Sequence, residues 1–378
     1  MHVLEAGFEG ADRPMVLLLH GFPELAWSWR KVMLPLADAG YHVVAPDQRG
    51  YGRTTGWDPD YDGDLDSFGM LNLARDALGL VAAFGRRSVA AVVGHDFGSP
   101  VAAWCALIRP DVFRSVVMMS APFAGPPGLP FDTLATPSAD VEATSGVPGN
   151  REPDIHAALA ALERPRKHYT AYYSTREANA DMWRCPQGVH DFLRAYYHHK
   201  SADWRGNRPH PLASWTAAEL AKMPTYYVMD LDQGMAATVA QEMPSPGEIA
   251  ANRWLPDDEL RVYSAEYERT GFQGGLQWYR AAADERVTAG LQLFAGRTID
   301  VPAGFIAGRS DWGVHQRPGA CEAMQSGACA RMLACHLVEG AGHWVQQEQP
   351  EEVSRLLLEF LARAGTIAPA TQGTRGPR

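Results

Sequence analysis

Little in this sequence provides for metal, nucleic acid or membrane. Cysteine is scarce: Cys105, Cys185, Cys321, Cys329 and Cys335 are odd in number and form no C-x-x-C pair. They specify neither a disulfide framework nor a thiolate metal site. No H-x-x-x-H spacing occurs, and the adjacent His198 and His199 read as a solvated pair. Basic residues are in deficit, 34 against 44 acidic for a net charge of −10, with no basic cluster interleaved with aromatics. That argues against a nucleic-acid partner on electrostatic grounds. No uncharged run reaches membrane-spanning length. The opening MHVLEAGFEGADRP lacks the charged and apolar regions of a secretory signal. The chain is expected to be a cytoplasmic protein, monomer or homodimer, that acts on a small molecule with no metal and no cofactor.

What is present is enough apolar sequence, 46% of 378 residues, for one large core or a core carrying an inserted unit. Apolar runs at 15–19, 42–47, 115–119, 303–308 and 332–338 read as buried strands, and 67–84 and 350–364 as amphipathic helices. Their alternation implies a mostly parallel sheet covered on both faces. It breaks at Pro122. Residues 124–150 are rich in Pro, Gly and Ser, and beyond them lie ten of the thirteen tyrosines. Helical patterns at 153–163, 166–182, 187–200 and 275–294 make this middle region an inserted α-helical lid with aromatic side chains, most of them its own core. The expected organisation is a core at 1–123, the lid at 124–290, the core resumed at 291–364 and a disordered tail at 365–378.

The stretch SVAAVVGHDFGSPVAAW, residues 88–104, organises the rest. An apolar run meets Gly94-His95-Asp96-Phe97-Gly98 and passes into a helical pattern. This matches the nucleophile elbow of the α/β-hydrolase fold, G-x-Nu-x-G, where glycines let the chain turn sharply around one exposed side chain. Here that side chain is Asp96. An ordinary aspartate titrates near ~3.9, so it is already ionised at neutral pH and needs no base. Attack on an ester or amide would give a high-energy anhydride. Displacement at saturated carbon gives an ordinary ester, and the electrophiles that suit it are epoxides and alkyl halides. The bland alternative, a helix cap, leaves the flanking glycines unexplained.

Chain order in this fold is nucleophile, acid, histidine. Asp96, Asp311 and His343 fit, each in a loop after a predicted strand, with Asp300 as a rival acid before the same strand. His343 would activate water against the ester while Asp311 orients the imidazole. His95, beside the nucleophile, should point away and is structural. The loop after residues 15–19, His20-Gly21-Phe22-Pro23, would lend the Phe22 N–H to an oxyanion hole shared with the N–H of Phe97. His20, Trp27, Trp278 and Trp344 are expected around the substrate. A halide leaving group is often met by an indole beside the nucleophile, and Phe97 offers no donor.

Through HGFPE at 20–24, GHDFGS at 94–99, GFQGGLQWYR at 271–280 and GAGHW at 340–344, the chain resembles the α/β-hydrolase-fold epoxide hydrolases over most of residues 13–363. The resemblance implies conversion of an epoxide and water to a vicinal diol through a covalent ester, and the aromatic residues of the lid point to an apolar epoxide. It also implies two lid tyrosines that protonate the epoxide oxygen. GGLQWYR carries one onto Tyr279. The other falls in KHYTAYYSTREA, matched to Tyr169 with Tyr172 and Tyr173 as rivals. Phe97 and Ser99 depart from the Trp and Gly common after the nucleophile, Gln-Glu-Pro is missing after Tyr173, and residues 201–260 lengthen the insertion. The other readings are a dehalogenase with the same triad and a silent ligand-binding protein.

Overall fold

All five positions of β2 (Met15–Leu19) are buried, as a strand covered on both faces requires. Its side chains divide by parity: Met15, Leu17 and Leu19 join one apolar core, Val16 and Leu18 the other. The structure is a computed structural model and describes residues 1–10, 12–129 and 154–365. Most of the Pro/Gly/Ser-rich stretch, and the expected tail after residue 365, lie outside the described residues.

The remaining strands are β1 (Val3–Ala6), β3 (His42–Pro46), β4 (Ala91–His95), β5 (Val116–Met119), β6 (Arg166–His168), β7 (Val228–Asp230), β8 (Ala303–Gly308) and β9 (Met332–Val338). Seven form one sheet in the order β1-β3-β2-β4-β5-β8-β9, parallel except for β1. Helices Arg30–Asp38 and Pro350–Arg363 cover one face, Met70–Ala83 and Gly98–Ile108 the other. This is a doubly covered α/β sheet. The loops leaving the carboxyl ends of β2, β4, β5, β8 and β9 therefore converge at one edge, where such sheets hold ligands.

Between β5 and β8 the chain leaves the sheet and builds helices, with β6 and β7 paired antiparallel. Residues 166–182, read as one helix, divide into β6 and helices Tyr169–Tyr173 and Glu177–Trp183. The break is chemical. Ser174 Oγ donates to Thr170 O and Thr175 Oγ1 to Tyr172 O, so hydroxyls take carbonyls that a continuing helix would use. The helix expected over 275–294 runs instead over Gln273–Ala283, because Asp284 caps a new turn through the N–H of Arg286. The inserted segment sits on the carboxyl edge of the sheet: Tyr197 and Tyr267 donate hydroxyls to the carbonyls of Pro23 and Glu24, and Trp278 Nε1 donates to Arg49 O. Among the described residues no helix is long and apolar enough to cross a membrane.

Candidate active site

The turn after β4 is tight enough to need both of its glycines. A Cβ on Gly94 would meet Gly98 O at 2.0 Å, and one on Gly98 would meet Leu19 O at 2.3 Å. Between them Asp96 adopts φ 52°, a left-handed conformation it shares, among the described non-glycine residues, only with Ser120. Such a backbone costs roughly 1–3 kcal/mol and persists where its surroundings enforce it. Here the Asp96 N–H donates to Met119 O and its carbonyl accepts from Ser99 N.

Asp96 Oδ1 accepts from the Phe22 N–H at 2.8 Å. Its Oδ2 lies 3.2 Å from His343 Nε2, and His343 Nδ1 lies 3.0 Å from Asp311 Oδ1. The Gly313 N–H fixes that Asp311 oxygen at 2.7 Å. Burial alone would raise the pKa of both aspartates. For Asp96 the hydrogen bond and charge of His343, with Lys200 and His95 behind, outweigh it and hold the carboxyl below the usual range. For Asp311 the His343 ring, the Gly313 N–H and Ser120 do the same. Phe97 precedes helix Gly98–Ile108, where backbone N–H groups have no partner within the helix. Its amide stands beside Asp96, and among the described residues no acceptor takes it.

Asp96, Phe97, Tyr169 and Tyr279 line one cavity of about 450 Å³, with Phe123 and Trp215 among its apolar walls. The Tyr169 and Tyr279 rings stand edge to face, centroids 5.9 Å apart. Burial, then the charge of Asp96, pushes both phenol pKa values well above 10, so both keep their protons. The rivals are occupied elsewhere: Tyr172 OH donates to Asp181, and Tyr173 OH to Tyr196 OH at 3.1 Å. Asp300, the rival acid, is exposed before the amino end of β8 and bonds Thr298.

Four expected wall residues stand behind the wall. His20 is fully buried: Nδ1 donates to Gly21 O and Nε2 accepts from Gln48 N. Trp27 lies under the Arg30 guanidinium, 5.4 Å from its ring centroid. Trp278 directs its indole N–H to Arg49 O and abuts Phe97. Trp344 donates to Tyr197 O and packs on the His343 ring. For Trp278 the sequence held the reason: it precedes Tyr279 on one helix, and consecutive positions face different ways.

Sequence reasoning gave no role to Glu24, Gln316 or Glu348. Glu24 accepts from Gly21 N and pairs with His95, whose ring also reaches the His343 carbonyl at 2.7 Å. Gln316 Oε1 accepts from Tyr169 OH at 3.2 Å. Glu348 accepts from the N–H groups of Ala202, Gly342 and Trp344. A buried acid at the end of HGFPE was the one available signal. Among the described residues no three metal-ligating side chains gather.

A family model described as the alpha/beta hydrolase fold matches residues 14–350. Epoxide hydrolase A of Mycobacterium tuberculosis is 34% identical over 96% of this chain and 94% of its own, and epoxide hydrolase B of that organism is 32% identical over 92% and 91%. This chain belongs to the epoxide hydrolases of the α/β-hydrolase fold. Among solved structures, an epoxide hydrolase from an endophytic Streptomyces superposes with a TM-score of 0.72 at 30% identity, covering 96% of this chain and 91% of its own. For this α/β-hydrolase the potato (Solanum tuberosum) epoxide hydrolase I gives 0.67 at 27%, covering 96% and 95%.

Proposed function

We propose that this enzyme hydrolyses an apolar epoxide to a vicinal diol through an ester on Asp96. One observation carries the reading: the nucleophile's carboxylate opens into a cavity that Tyr169 and Tyr279 also line. An Asp96 oxygen attacks one epoxide carbon, the ring C–O bond breaks, and its electron pair takes a proton from a tyrosine. Two phenols aimed at one oxygen hydrogen-bond the developing alkoxide together, while one of them gives up its proton.

His343 then removes a proton from water, and the hydroxide adds to the ester carbonyl of Asp96. The oxyanion formed is held by the N–H groups of Phe22 and Phe97. Collapse expels the diol oxygen, which takes the proton of the newly added hydroxyl, and the imidazolium proton restores the tyrosine. Asp311 keeps the ring oriented and stabilises its charged form. The inserted segment acts as a lid that excludes water from the reacting carbon. Five free thiols support a reducing compartment, the cytoplasm.

One turnover with enzyme in excess, in heavy-oxygen water, tests the mechanism. The expected result is an unlabelled diol and label in Asp96, because water attacks the ester rather than the epoxide. Label in the first diol would mean direct hydration. Dehalogenation has less support, since Trp278 commits its indole N–H to Arg49.

A further inference from the structure

Lys200 is the last residue of helix Gly188–Lys200 and is only 3% exposed. Its ammonium lies 5.0 to 5.8 Å from the ring centroids of Tyr196, Tyr226, Tyr227 and Trp344. Among the described residues no carboxylate stands within ion-pair distance of it and no acceptor bonds it. An unpaired buried charge is costly. An aromatic face returns about 2 kcal/mol or more when desolvated. Burial lowers its pKa, and the charges that oppose this and favour the ammonium are the carboxylates of Asp96, Asp311 and Glu24.

Its position is held from both sides. The Lys200 carbonyl accepts from His343 N at 2.9 Å. Gly342 lies so close to this turn that a Cβ there would meet Lys200 O at 2.6 Å. Glu348 closes the junction by accepting from Ala202 N at 2.8 Å and Gly342 N at 2.9 Å. The inserted segment thus carries one fixed cation to the rear of the triad.

We propose that Lys200 is a positioning residue that acts through Asp96 and biases the two half-reactions in opposite directions. This rests on the ester mechanism above. In ring opening, negative charge leaves Asp96, so a nearby cation favours the starting carboxylate and slows the step. In ester hydrolysis, negative charge returns to the Asp96 carbonyl oxygen, and the same cation favours the transition state. Lys200 trades some alkylation rate for faster release of the ester.

The test is Lys200→Met, with Lys200→Arg as the charge-keeping control, followed by rapid mixing with a styrene-type epoxide and by intact-protein mass. In Lys200→Met, hydrolysis should slow about tenfold while ring opening holds or quickens, so the ester accumulates; one pKa unit of lost interaction is about tenfold. Lys200→Arg should stay near the parent ratio. Equal slowing of both steps with a lowered melting temperature would reduce Lys200 to a packing residue and overturn the proposal, as would no change in either. If the parent enzyme itself never forms an ester, the underlying mechanism fails instead.

Discussion

Asp96 occupies the space that a side chain on Gly21 would need: a Cβ there would meet Asp96 Oδ1 at 2.3 Å and its Cβ at 2.4 Å. The glycine admits the carboxylate to the Phe22 N–H. Gly21→Ala should therefore displace the nucleophile rather than unfold the sheet. Overpacking of this size costs about 1–3 kcal/mol of stability. A reacting group moved by ~1 Å loses about 10²-fold in rate. Thermal melts and single-turnover ring opening check the two together, and a fully active variant would contradict the crowding.

The two tyrosines should differ in how much they matter. Tyr279 packs against Phe22 and Phe97, the residues whose amides flank Asp96. Tyr169 spends its hydroxyl on Gln316 at 3.2 Å. Tyr279→Phe should slow ring opening by about 10²-fold, the lower range for a lost general acid. Tyr169→Phe should cost less, and neither should slow hydrolysis of an ester already formed. Pre-steady-state measurement of both steps separates these outcomes.

The pH dependence follows from opposite shifts. Asp96 is held below the usual carboxylate range despite its burial, chiefly through His343. Burial pushes the Tyr169 and Tyr279 pKa values well above 10. A nucleophile with a lowered pKa stays ionised as pH falls below ~4, and acids with raised pKa values stay protonated as pH rises past ~10. Ring opening should accordingly be flat from about pH 5 to 10. A ring-opening rate that falls between pH 7 and 9 would contradict the tyrosine assignment.

Most of the sheet was legible because buried parallel strands write themselves as continuous apolar runs: residues 15–19 and 303–308 are β2 and β8 to the residue. The loops carrying Asp96, Asp311 and His343 were legible because each follows such a run, and the three side chains meet in hydrogen bonds. β1 was not, since an edge strand of four residues buries only Ala6 and carries no periodic signal. Spacing does not separate Tyr169 from Tyr172 and Tyr173, because what distinguishes them is the hydroxyl partners of the latter two, Asp181 and Tyr196. That His20, Trp27, Trp278 and Trp344 do not line the cavity of Asp96 has one cause. Being aromatic and near a motif says nothing about which side of the motif a ring packs on, and Trp344 and Trp278 pack behind it. Glu348 was invisible because its three donors are backbone groups from two separate segments.

The inserted segment meets the core closely at two glycines, and that contact sets where Tyr279 stands. Gly50 has φ +88°, and a Cβ on it would meet Gly274 O at 2.6 Å; a Cβ on Gly274 would meet Gly50 O at 1.9 Å. Both obstacles are backbone, so neither can rotate aside. Gly274 lies in the first turn of helix Gln273–Ala283, which carries Tyr279. Gly274→Ala gains helix propensity of up to about 1 kcal/mol. It must also lift the helix from the core, and the tyrosine with it. The expected variant melts within a few degrees of the parent, opens epoxides about tenfold or more slowly because the hydroxyl is misplaced, and hydrolyses a preformed ester at the parent rate. Equal losses in both steps would mean that the contact holds the triad as well as the tyrosine.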